Sequence, residues 1–154
     1  MKQFEVIGFG ALNMDKLYRV NRIATAEEES FVIDFEEACG GSAANTIVGL
    51  ARLGLKVGYI GQVAKDREGK LLLNDFEKEG VDVGGVIVAE KGRSGVVMGF
   101  VDIKGERALY VDPSVNNSIK PEEINFKYAT STKFLHLTSF ISEESFETQK
   151  KLVE

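Results

Sequence analysis

Apolar and polar positions alternate along the chain in blocks short enough to be single elements. Phe4 to Phe9 is an apolar run holding one acid and ending in Gly8-Phe9-Gly10, which predicts a short buried strand. Lys16 to Val20 has strand composition as well. After the acidic turn Glu27-Glu28-Glu29, Phe31, Ile33 and Phe35 alternate with Val32, Asp34 and Glu36. That period of two predicts a strand with one wet face. Beyond Cys39-Gly40-Gly41, an apolar run through Ile47, Val48, Leu50, Ala51 and Leu53 predicts a helix, with Ser42 as its cap and Gly54 as its stop. A strand follows over Val57 to Val63. A helix follows over Arg67 to Glu79, with Leu71, Leu72 and Phe76 on one face and Gly80 closing it. Val81 to Val88 is strand-like again. Strands and helices in alternation predict an α/β fold, a mostly parallel sheet flanked by helices.

Two β-rich segments interrupt this alternation. Gly95 to Val101 and Arg107 to Val111 flank the polar stretch Asp102-Ile103-Lys104-Gly105-Glu106, the pattern of a hairpin with its tip at 104–106. With the earlier excursion near 16–36, they can pair into a small accessory sheet. Pro121-Glu122-Glu123 marks a helix start, and Lys133 to Leu137 a strand. Ser142 to Glu154 reads as a helix capped by Ser142, with Phe146 and Val153 apolar and no stop signal. The chain is therefore expected to be a piece of a longer protein.

Composition narrows the function classes. At 154 residues, 44% hydrophobic and 28% charged, the chain suits one globular domain. A net charge of -5 argues against nucleic acid and against an anionic membrane surface. The start of the chain has an acid inside its apolar stretch, so it does not read as a signal peptide, and no apolar run is long enough to span a membrane. Cys39 is the sole cysteine, which excludes an internal disulfide and favours a cytoplasmic setting. One cysteine and one histidine cannot build a zinc site, so no metal site is expected. His136, in an apolar strand, is expected to be a satisfied core residue, and Cys39 a buried small one.

Two clusters could carry chemistry. Gly8-Phe9-Gly10 invites a dinucleotide-binding reading, but Asn13 stands where a third glycine is needed and no helix follows. What remains is Asn13 and Asp15, two apart, hence pointing the same way in an extended chain. An amide donates and accepts while a carboxylate only accepts, a combination suited to sugar hydroxyls. A turn in which both satisfy backbone groups is the alternative. In Gly40-Gly41-Ser42-Ala43-Ala44-Asn45, the glycines allow close backbone approach, helix-start amides offer donors, and Asn45 lies on the first turn. A helix that merely needs a glycine-rich entry accounts for it equally. It is no P-loop, since no Lys-Ser or Lys-Thr follows the glycines.

Residues 40–61, from Gly40-Gly41-Ser42-Ala43-Ala44-Asn45 through Leu53-Gly54 to Gly58-Tyr59-Ile60-Gly61, resemble the first signature of the ribokinase-like (PfkB) kinases. Gly10-x-x-Asn13-x-Asp15 resembles their opening strand and sugar-binding turn, and the hairpin at 95–111 their lid. Asp66 and Gly69 stand where the family has Gly-x-Asp-x-x-Gly, with Ala64 and Lys65 in place of the expected glycine. The resemblance covers essentially the whole chain. It implies that 1–154 is the N-terminal part of one kinase domain, an α/β core interrupted by lid strands near 16–36 and 95–111. It implies that Asn13 and Asp15 hold substrate hydroxyls and that Gly40, Gly41 and Asn45 line the same pocket. Ser42 stands where members have lysine or serine. Phe100 in the lid and Asn116 just after it are further candidates.

Members transfer the γ-phosphoryl group of ATP to a sugar or nucleoside hydroxyl with Mg2+, and often dimerise through the lid. Their catalytic base lies in a Gly-x-Gly-Asp motif, which is not in this sequence. The implied role is the substrate-binding half of a carbohydrate kinase, inactive alone, with neither ATP nor Mg2+ bound by this chain. The alternative is a sugar- or nucleoside-binding module that transfers nothing.

Overall fold

The computed structural model describes residues 3–138 and 142–154. Met1 and Lys2, part of the signal-peptide reading, lie outside the described residues. Two four-stranded sheets share the chain. The first has the order β5-β4-β1-β8, built from β1 (Phe4–Phe9), β4 (Val57–Ala64), β5 (Asp82–Ala89) and β8 (Thr132–Leu137), all parallel. Its crossovers carry α1 (Ser42–Arg52) and α2 (Arg67–Lys78). Ile47 of α1 and Leu72 and Phe76 of α2 pack with Val57, Tyr59 and Val63 in one core. On a second core, Phe4, Ile7, Phe9 and Ile60 pack with Ile119, Ile124 and Ala129. Those last residues come from the 3-10 turns Ser114–Ser118 and Pro121–Glu123 and their surroundings, and from α3 (Phe126–Ala129), so Pro121 opens a single 3-10 turn rather than a longer helix. Among the described residues no helix is long and apolar enough to cross a membrane.

The second sheet has the order β3-β2-β6-β7, with β2 (Asn13–Val20), β3 (Val32–Gly40), β6 (Gly95–Val101) and β7 (Arg107–Asp112). β2 and β6 pair in parallel, while β2 with β3 and β6 with β7 are antiparallel. A turn over 102–105 joins β6 to β7, its tip braced by Asp102, whose Oδ1 accepts the N–H of Lys104 and of Glu106.

Several expectations change. β2 begins at Asn13, three residues before Lys16, so Asn13 and Asp15 lie in the extended chain of the first reading and not in the alternative turn. β3 runs on to Gly40, so Cys39 and Gly40 are strand residues. Phe31, Val32, Ile33 and Phe35 are all exposed, so the alternation there does not mark one wet and one buried face; little covers this end of the lid. Gly41, not Ser42, is the N-cap of α1, and Ser42 is its first helical residue. Leu71 is exposed, because the core-facing stripe of α2 runs through Gly69, Leu72 and Phe76. In α4 (Glu143–Val153), capped by Ser142 Oγ as expected, Phe146 and Val153 are exposed while Ser145 and Thr148 are buried. Their hydroxyls donate to the carbonyls of Asn116 and Ile119, which binds that face of the helix by polar contacts. His136 is half-buried and its Nε2 has no hydrogen-bond partner among the described residues, so it is not a satisfied core residue. It lies on β8, the last strand of its sheet among the described residues.

Candidate functional site

β2 leaves the core through Leu12 and Met14, both buried. Alternation then puts Asn13 and Asp15 on the opposite face from Met14. Asn13 stands between two glycines, Gly40 on β3 and Gly95 on β6. Both glycines are required by close approach. A Cβ at Gly40 would collide with the Asp15 carboxylate, and one at Gly95 with Asn116 Nδ2 and Asn13 Oδ1. The carboxylate of Asp15 is half-buried, and no donor among the described residues reaches it. Burial therefore raises its pKa above the ordinary aspartate value. A carboxylate placed so is an acceptor without a partner among the described residues.

Gly41 holds φ +117°, a conformation that disfavours side chains, and a Cβ there would collide with the Ala11 carbonyl. The start of α1 is thereby pressed against the segment that leads into Asn13. Ser42 and Asn45 are exposed on the first turn. Asn45 lines a cleft of about 300 Å³ with Leu12, Cys39, Gly40 and Asp75. Gly40 links the two places, since it borders this cleft and also abuts Asp15. Cys39 opens onto the cleft as a poor nucleophile. Burial first, and then the Asp75 carboxylate, push its thiol up to about 11.

Phe100 stacks on Tyr18 with ring centroids 5.0 Å apart. Tyr18 is out of phase with Asp15 along β2, so Phe100 lies on the lid face turned away from Asn13 and Asp15. Val97, opposite Asp15, is an apolar lid residue on the site face. Asn116 is 1% exposed and lies beneath the site, bonded to Leu12 and Asn13. Sequence reasoning missed Gly95 and Ser94. Their one signal is a small pair directly before the apolar run of β6.

The matching family model, pfkB family carbohydrate kinase, covers residues 3–152. The chain belongs to the pfkB family of carbohydrate kinases. It is 51% identical over 110 residues to an uncharacterized sugar kinase of Archaeoglobus fulgidus, spanning 70% of this chain and 44% of that protein. It is 37% identical over 134 residues to an ATP-dependent ribose-1-phosphate kinase of Halopiger xanaduensis, spanning 87% of this chain and 45% of that one. Ribokinase from Thermotoga maritima superposes with a TM-score of 0.79 at 23% identity, over 86% of this chain and 44% of its own, a likeness of fold. The chain thus spans less than half the length of these relatives.

Proposed function

We propose that the chain is the substrate-recognition part of an ATP-dependent carbohydrate kinase, with Asn13 and Asp15 binding hydroxyls of a sugar or nucleoside. The observation that carries this reading is the half-buried, partnerless carboxylate of Asp15 against Gly40, beside an amide on the same strand face. Leaving such a group without a donor costs stability, which a bound hydroxyl recovers. The start of α1, with Gly41, Ser42 and Asn45, is assigned to the same recognition site through Gly40, which borders both the Asp15 carboxylate and the cleft that Asn45 lines. Residues 1–154 then form the first part of one kinase domain, its core interrupted by the lid.

Phosphoryl transfer needs positioned charge around the phosphates. ATP and Mg2+ are assigned to the enzyme as a whole and to no residue of this chain. With no Gly-x-Gly-Asp in the sequence, the chain alone binds without transferring. That same feature favours a second reading, a binding module with no transfer step. The lid exposes Leu17, Leu109 and Val111 on its site face, apolar surface that suits a second copy, and the family reading is cytoplasmic.

A thermal-shift screen against sugars and nucleosides tests the pocket. A ligand at a hundredfold excess over Kd adds about 2.7 kcal/mol of stability, and the Asn13→Ala, Asp15→Ala double variant loses that shift. A screen with no hit sinks the pocket. Turnover above background in a phosphotransfer assay of the chain alone sinks its inactivity, and a monomer in sedimentation velocity sinks the lid dimer.

A further inference from the structure

Asn116 lies buried between Leu12 and Asn13, and its orientation admits no alternative. The Leu12 N–H donates to Asn116 Oδ1 at 3.0 Å, and Asn116 Nδ2 donates to the Leu12 carbonyl at 2.9 Å. A backbone N–H can only donate and a carbonyl can only accept. Turning the Asn116 amide over would set donor against donor and acceptor against acceptor, in a place closed to water. The second Nδ2–H of Asn116 is directed at the Asn13 side chain, 3.0 Å away. A donor there requires an acceptor, so the Asn13 atom it meets is Oδ1. The Asn13 NH2 group must then face the other way, and no described residue accepts a hydrogen bond from it.

We propose that Asn116 is a positioning residue that locks Asn13 as a hydrogen-bond donor on the β2 face it shares with the acceptor-only Asp15. Gly95 makes this possible, because only a residue without a Cβ leaves room for the two amides to meet. Resting on the sugar-pocket reading, the lock sets the polarity of the site. The ligand presents a lone pair to Asn13 and a hydroxyl proton to Asp15. A keto, ether or hydroxyl oxygen satisfies Asn13, whereas only a hydroxyl satisfies Asp15. A ligand whose hydroxyl facing Asp15 is replaced by a carbonyl is excluded, because two acceptors would meet in a half-buried place.

Side-chain amide NMR on the 154-residue chain tests the orientation without any ligand. Both Asn116 NH2 protons are bonded and buried, so they exchange with water at least about tenfold more slowly than those of Asn13. The opposite order overturns the proposal. In Asn116→Asp, the new carboxylate can hold Asn13 only by accepting, so the Asn13 amide turns over and its exchange slows. A merely structural Asn116 would lower the melting temperature and leave Asn13 exchange unchanged, which also overturns the proposal. Asn13→Asp keeps an acceptor for Asn116 and hence keeps the slow Asn116 exchange, yet offers a ligand no donor. Titrated with D-ribose, this variant binds about tenfold or more weakly than the native chain; equal affinity counts against the lock. If the exchange pattern is as stated while the native chain binds none of a panel of sugars, the orientation stands and the sugar-pocket reading fails.

Discussion

The carboxylate of Asp66 grips Ser94 at two points, accepting its backbone N–H at 2.8 Å and its hydroxyl at 2.6 Å. The same carboxylate caps α2 by accepting the N–H of Gly69 at 2.8 Å, and the Ser94 hydroxyl in turn accepts the N–H of Ala64 at 2.9 Å. One side chain therefore ties together the end of β4, the start of α2 and the residue before Gly95, whose closeness to Asn13 shapes the site. The next two residues bind the other arm of the lid. Arg67 forms a forked pair with Glu37 on β3, at 2.9 and 2.6 Å, and Glu68 binds Lys16 on β2 at 2.9 Å.

Asp66→Ala removes a helix cap and leaves the Ser94 N–H without an acceptor. The cap accounts for about 1 kcal/mol and the stranded donor for about 1–3 kcal/mol, so urea unfolding should report a loss of about 2–4 kcal/mol. Acid distinguishes the charge from the shape. Burial opposes ionisation of Asp66, but the hydrogen bonds from Ser94 and Gly69 outweigh it, and its pKa lies below the ordinary 3.8. A depressed carboxylate stabilises the fold above the unfolded value and loses that stabilisation as pH falls through the folded one. Asp66→Asn should lack this part of the acid limb below about pH 3.8, measured by unfolding midpoints across pH.

Arg67→Ala should behave differently. The Arg67 side chain is 59% exposed, so its pair with Glu37 contributes little to global stability. Its consequence is local, because it is one of few ties between β3 and the core. Backbone amide exchange in β3 should rise several-fold while α1 and β4 stay protected, and 1 M salt should reproduce part of the effect. Uniform exchange across both sheets would show that the pair does not hold the lid.

These ties separate what the sequence displays from what it hides. The middle of the parallel core was legible because β1 and β4 are buried, β4 at every residue, and because Gly54 and Gly80 stop their helices with positive φ. The lid was legible as strands but not as faces. Period two tells which residues share a side and not whether anything covers that side, so Phe31, Ile33 and Phe35 misled. Asn13 and Asp15 could be read as a pair from spacing alone. Asn116 was a candidate only by resemblance, because its partner Leu12 is 104 positions away and only the folded chain brings them together.

Gly40→Ala and Gly41→Ala, adjacent substitutions, should part in their effects. The Cβ of the first meets the Asp15 carboxylate, the far end of a side chain that can swing aside. Its cost in stability should stay near or below about 1 kcal/mol, with the main loss in ligand affinity as Asp15 is displaced. At Gly41 the Cβ meets a backbone carbonyl, and φ is +117°. Unfolding should there report a loss of about 2–3 kcal/mol. Equal melting temperatures for the two variants would contradict the geometry.

Asp15→Asn turns the site's own cost into a measurement. Burial raises the Asp15 pKa, so the folded state holds the proton more tightly than the unfolded chain does. As pH rises from 3.8 through the folded value, the ionised group progressively destabilises the fold, and above that value the whole cost applies. An uncharged amide escapes it. Asp15→Asn should therefore be more stable than the native chain at pH 7, by less than about 1 kcal/mol because solvent still reaches the carboxylate. The advantage should vanish near pH 3, where both side chains are neutral. Ligand binding should move the other way, falling about tenfold or more, if Asp15 accepts a ligand hydroxyl as proposed. Stability gained together with recognition lost is the pattern expected of a group kept for binding rather than for the fold. Urea midpoints at the two pH values, set beside a titration with D-ribose, read both effects on the same protein.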